Sequence, residues 1–155
     1  MICQDTLLQS IQNGFHVDSG ISRRVLAISD KVVVKMYHGD YFDGQQEHEM
    51  EFYRLFGERF GSLIPQMYGW LETEDYGLLL FMERVQPLYL DMDIESYIWR
   101  NLAVNEARET LEALNDLIHE TGLCDVMCNE LNWGLREDGS LVCLDCGYSN
   151  GQYMT

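Results

Sequence analysis

The chain has 155 residues, 46% apolar and 23% charged, the length and balance of one globular domain with a real core. Twenty-six acids against ten bases leave a formal net charge of -16. That argues against a nucleic acid held through its phosphates; the ordinary reading is a solubility-favouring acidic surface, and the positive ones are a basic protein partner or a DNA-binding protein engaged by nucleic-acid mimicry.

No apolar run is long enough to cross a bilayer, so no membrane role is expected. The start, Met1-Ile2-Cys3-Gln4-Asp5, carries no basic region ahead of an apolar stretch. Cys3, Cys124, Cys128, Cys143 and Cys146 are an odd set. Reduced thiols in a cytoplasmic protein are therefore expected.

In chain order, residues 4–13 are predicted as a short helix closed near Gly14. Residues 25–37 read as two strands joined at Ser29-Asp30-Lys31, the second built on Val32-Val33-Val34. A helix over 43–57, capped by Gly57, follows. Residues 68–72 and 77–82 form a strand pair turned at Glu74-Asp75-Tyr76, and 91–100 a short helix. The clearest helix is 104–121, with Val104, Ala107, Leu111, Leu114, Leu117 and Ile118 at helical spacing and Gly122 at its end. Its opposite face carries Glu106, Glu109, Glu112, Asp116 and Glu120. A small hairpin closes the series, from Trp133 through a turn at Glu137-Asp138-Gly139 to Leu144.

Lys35 closes the run Val32-Val33-Val34-Lys35, and the next helix offers Glu47, Glu49 and Glu51. Helical geometry selects Glu49, which shares a face with Phe52, Tyr53 and Phe56 at offsets of three, four and seven. Those aromatics face the core, so Glu49 turns inward as well, and an inward carboxylate requires a cation. Lys35 is the candidate. Downstream, Asn132-Trp133-Gly134 and Val142-Cys143-Leu144-Asp145-Cys146-Gly147 set an asparagine and an aspartate thirteen residues apart around the hairpin. Their oxygens are the ligand type that magnesium prefers.

This order of elements and motifs resembles the protein-kinase fold over roughly residues 20–149. It is closest in character to the short kinase-like proteins of bacteria and their phages. The resemblance implies an α+β, reduced kinase-like fold in a single domain over 1–155. Residues 1–87 would form an N-lobe-like part, a small antiparallel sheet with one helix on it. Residues 88–155 would form a reduced helical C-lobe with a catalytic-loop hairpin. ATP and magnesium are the implied cofactors. Lys35 would meet the α- and β-phosphates with Glu49 as its partner, and Asn132 and Asp145 would hold the metal. Gly20 and Ser22 would belong to the phosphate loop. In Met82-Glu83-Arg84-Val85, a hinge-like segment, the backbone of Glu83 and Val85 would meet adenine.

Three departures from the family shape the expected activity. The phosphate loop Asp18-Ser19-Gly20-Ile21-Ser22-Arg23 has one glycine where a kinase has three. The catalytic base, five residues before the asparagine in the family, is replaced by Met127, which takes no proton. Asp125 is a displaced candidate two residues earlier, and Asn129 can orient a hydroxyl without acting as base. Finally, only residues 148–155 follow Gly147, so no platform for a peptide substrate is expected.

The expectation is a degenerate kinase-like protein that binds a protein partner, with its acidic helical face as the contact. An active minimal phosphotransferase and an acidic nucleic-acid mimic without a nucleotide are the alternatives. The spacing Cys124-x3-Cys128 with Cys143-x2-Cys146 also fits a four-thiolate zinc site. Because Cys143 lies in an alternating strand, buried core thiols are the expectation and zinc is not.

Overall fold

Two uninterrupted apolar runs, Val32-Val33-Val34 and Leu78-Leu79-Leu80-Phe81-Met82, form the centre of the larger sheet. Strands covered on both faces lose the apolar–polar alternation, and that is how these two read. The computed structural model describes residues 9, 11–19, 23–37, 44–122 and 133–144. In chain order they form β1 (Phe15–Ser19), β2 (Arg23–Ala27), β3 (Val32–Tyr37), α1 (Gln45–Phe56), β4 (Met67–Thr73), β5 (Gly77–Glu83), β6 (Gln86–Pro87), α2 (Ile94–Asn101), α3 (Val104–Thr121), β7 (Trp133–Leu135) and β8 (Leu141–Cys143). The architecture is α+β.

Strands β1 to β5 form one antiparallel sheet in the order β1-β2-β3-β5-β4. The central strands β3 and β5 are buried almost throughout, while the edge strand β4 alternates half-buried and exposed positions. One face of this sheet carries Leu26, Val34, Met36, Leu79 and Phe81, and Ile11 from the helical residues 11–13 packs among them. A second, three-stranded antiparallel sheet has the order β6-β7-β8.

The chain divides into two compact units, Met1–Met50 with Gln66–Arg84, and Glu51–Pro65 with Val85–Thr155. The first holds the five-stranded sheet. The second has its own core of Phe52, Phe60, Ile64, Ile94, Ile98, Leu114, Leu117 and Trp133. Cys143 is buried in that core, as expected from its strand position. Cys124, Cys128 and Cys146 lie outside the described residues. Arg136 binds the turn that follows α1, donating to the carbonyls of Gly61, Ser62 and Ile64 at 3.2, 3.0 and 2.9 Å.

Several boundaries differ from expectation for local reasons. Helix α2 starts at Ile94, not at 91, because the Asp93 carboxylate accepts the Ser96 N–H at 2.9 Å and fixes the N-terminus there. That bond, with a second from the Ser96 hydroxyl, holds the Asp93 carboxyl below its ordinary pKa. Gly57 does not act as a left-handed cap. Its N–H still donates to the Tyr53 carbonyl at 2.8 Å, and the chain continues in helical turns to Phe60. Gly122 does end α3 in the left-handed region at φ 67°, returning its N–H to Ile118 at 2.9 Å.

Candidate functional site

Lys35 and Glu49 meet. Lys35 Nζ lies 2.5 Å from Glu49 Oε1, with the lysine side chain 8% exposed and the glutamate wholly buried. Across the sheet, Val25, Lys35, Leu80 and Trp70 are register partners on successive strands β2, β3, β5 and β4. The ammonium therefore rises from an apolar row and finds its counter-charge on α1.

The helix presents the inward carboxylate chosen by face geometry. Glu51 instead pairs with Arg54 one turn on, Arg54 Nε donating at 2.9 Å. That guanidinium holds the Glu51 carboxyl below its usual pKa. Glu47, the third candidate, accepts a hydrogen bond from the Tyr37 hydroxyl.

Two residues overlooked by motif reasoning hold this arrangement in place. Gln46 is fully buried, and its amide nitrogen donates to the carbonyls of Lys35 at 2.7 Å and Leu78 at 2.8 Å. The register between β3 and β5 ends at Lys35 and Leu80, so Gln46 joins the two strands just where their own ladder stops. Tyr37, 2% exposed, accepts the Gln46 N–H at 3.2 Å while donating to Glu47. Its hydroxyl thus satisfies one of the orphan donors in the first turn of α1, a role usually taken by an N-cap side chain. The signal was present in the sequence. The offsets that link Glu49 to the aromatics, run backwards by three and four, land on Gln46 and Gln45, and both are buried.

Lys35 does not end its strand, since β3 continues to Tyr37. Glu83 is the register partner of Val32, on the sheet face opposite Lys35. Its carboxylate accepts the Gln66 N–H at 3.0 Å, and its own N–H donates to the Gln66 carbonyl at 2.7 Å. The Arg84 N–H donates to the Lys31 carbonyl at 2.9 Å. Two N–H groups of the hinge-like segment are therefore engaged within the first unit. Val85 begins the longer segment of the second unit. A Cβ built on Gly134 would stand 2.8 Å from its Cγ1 and 2.9 Å from the Gln86 carbonyl oxygen, so Gly134 is where that strand pairing leaves no room for a side chain.

The hairpin of β7 and β8 pairs Trp133 with Cys143. Asn132 directly precedes it, and Asp145 follows Leu144. Asn132, Asp145, Gly20, Ser22, Asp125, Met127 and Asn129 all lie outside the described residues. Among the described residues no group of three or more histidine, cysteine, aspartate or glutamate side chains is placed to hold a metal. No described helix is long and apolar enough to cross a membrane. A scan against protein-family models finds no match, and a search of curated proteins returns no significant relative.

Proposed function

We propose that this chain is a reduced kinase-like protein that takes ATP with magnesium at Lys35 and works by binding a protein partner, not by phosphorylating one. The observation that carries the proposal is the buried Lys35–Glu49 ion pair. Burying two charges costs several kcal/mol per ion before their attraction returns it, so such a pair contributes little net stability over an apolar pair. Its value lies in holding an ammonium at a fixed point. A lysine on the third strand, paired with a glutamate on the helix that follows, is the arrangement protein kinases use to grip ATP phosphates. Here Lys35 is on β3 and Glu49 on α1.

If ATP and magnesium bind, Lys35 would hold the phosphates, and the resemblance assigns the metal to the side-chain oxygens of Asn132 and Asp145. The substitution of Met127 at the base position argues for binding over transfer, because general-base help is worth about 10²–10⁴-fold in rate. The formal charge of -16 makes a basic protein surface the fitting partner.

A transfer assay with ATP labelled at the γ-phosphate tests the second half of the proposal. Incubated with magnesium and generic basic acceptors, the chain should label neither itself nor the acceptor above background. Label transfer abolished by Asp125→Asn would make the chain a working phosphotransferase with Asp125 as its base.

A further inference from the structure

The geometry points to the free edge of β4 as a docking site for a basic, extended segment of a partner protein, which adds to the sheet as a further strand. Strand β4 is the last in the order β1-β2-β3-β5-β4, and among the described residues nothing pairs with its outer side. Proteins ordinarily blunt such an edge with lysine, proline or brevity, because its unpaired N–H and C=O groups recruit other chains. Strand β4 is seven residues, Met67–Thr73, with no lysine or proline; Glu72 is its one charge, and its irregularity is confined to the bulge at its start.

Instead it displays aromatics. Tyr68 is 51% and Trp70 61% exposed. Between them, a Cβ built on Gly69 would meet nothing within 4 Å. Tyrosine and tryptophan lose little conformational freedom on binding and recur as the residues that dominate interface energy. A bulge between Met67 and Gly69 marks where the regular edge begins.

Charge selects the occupant. Residues 67–83 contain no lysine, arginine or histidine, while Glu72, Glu74 and Asp75 are all exposed there. A strand with alternating basic side chains would set its cations beside these carboxylates and over the Trp70 ring. A second copy of this chain would bring another formal charge of -16, which disfavours self-association at an edge already flanked by carboxylates. The acidic face of α3 offers charge without unpaired backbone. Addition of a strand at an exposed edge takes its affinity from main-chain hydrogen bonds and its specificity from alternate side chains.

The inference rests on the reading that the chain acts by binding a protein, and not on its ATP site. The probe is an alternating lysine–valine octapeptide titrated into the ¹⁵N-labelled full chain. Saturable binding is expected, with amide shifts concentrated on Met67–Thr73 and weakening as salt rises. Trp70→Ala should weaken binding about tenfold without unfolding the protein. Methylation of alternate peptide nitrogens, which removes strand donors but keeps the charge, should abolish it. Equal binding of the methylated peptide, shifts centred on α3, or no binding would overturn the proposal. So would a dimer in sedimentation that Trp70→Ala dissolves, since the occupant would then be a second copy. Failure of the partner-binding reading itself appears separately, as phosphate transfer in the labelling assay.

Discussion

Replacing Lys35 alone by methionine should destabilise the protein by about 3–5 kcal/mol, because it removes the cation 2.5 Å from a wholly buried Glu49 carboxylate. Glu49→Leu alone should cost a similar amount by removing the buried counter-charge 2.5 Å from the ammonium. The double variant Lys35→Met/Glu49→Leu should recover most of the loss, ending within about 1 kcal/mol of the parent, since a packed apolar pair has no desolvation penalty. Urea unfolding of all four proteins closes the cycle. Additive losses would show that the two charges do not depend on each other. Against a typical domain stability of about 5–15 kcal/mol, either single change is a large fraction of the whole.

Gln46 should be the next most sensitive position. Gln46→Leu keeps the volume but removes both amide bonds, to the carbonyls of Lys35 and Leu78. A buried acceptor left without a partner costs about 1–3 kcal/mol, so a loss of about 2–4 kcal/mol in urea unfolding is expected. Gln46→Glu provides a sign check. A carboxylate there faces two carbonyl oxygens and prefers to stay protonated, so its folded pKa lies above the unfolded value of about 4.3. The protonated acid has one donor for two carbonyls, so a fixed part of the penalty remains at low pH, while its pH-dependent part should be absent below that unfolded value and grow as pH rises through the folded one. A deficit that is the same at acid and neutral pH would mean that water, not strand carbonyls, surrounds the side chain.

These two predictions fall on residues that differed in legibility. Glu49 could be read from the sequence because its face is marked by three aromatics, and large apolar groups fix which side of a helix is inward. Gln46 shares that face, but a glutamine next to Gln45, Glu47 and His48 reads as an ordinary polar helix start. Its burial depends on two carbonyls from separate strands, a requirement that only the paired sheet reveals. The central strands were legible from their continuous apolar runs. Strand β1, Phe-His-Val-Asp-Ser, was not, because it is short and gains its structure by pairing with β2. Strand β6 is two residues, Gln86 and Pro87, below any periodicity. The start of α2 was misplaced although Asp93 and Ser96 are good capping residues, because apolar spacing alone does not identify the cap.

The central claim is that the Lys35–Glu49 pair is the described part of a nucleotide site. It is tested most directly by calorimetric titration of ATP with magnesium into the parent chain and the Lys35→Met/Glu49→Leu double variant, which the stability cycle predicts to be folded. The parent should bind saturably, and ATP at about 100 times its Kd should raise its unfolding free energy by about 2.7 kcal/mol. The double variant should show neither heat nor stabilisation. Equal binding by both proteins, or no binding by the parent, would contradict the claim.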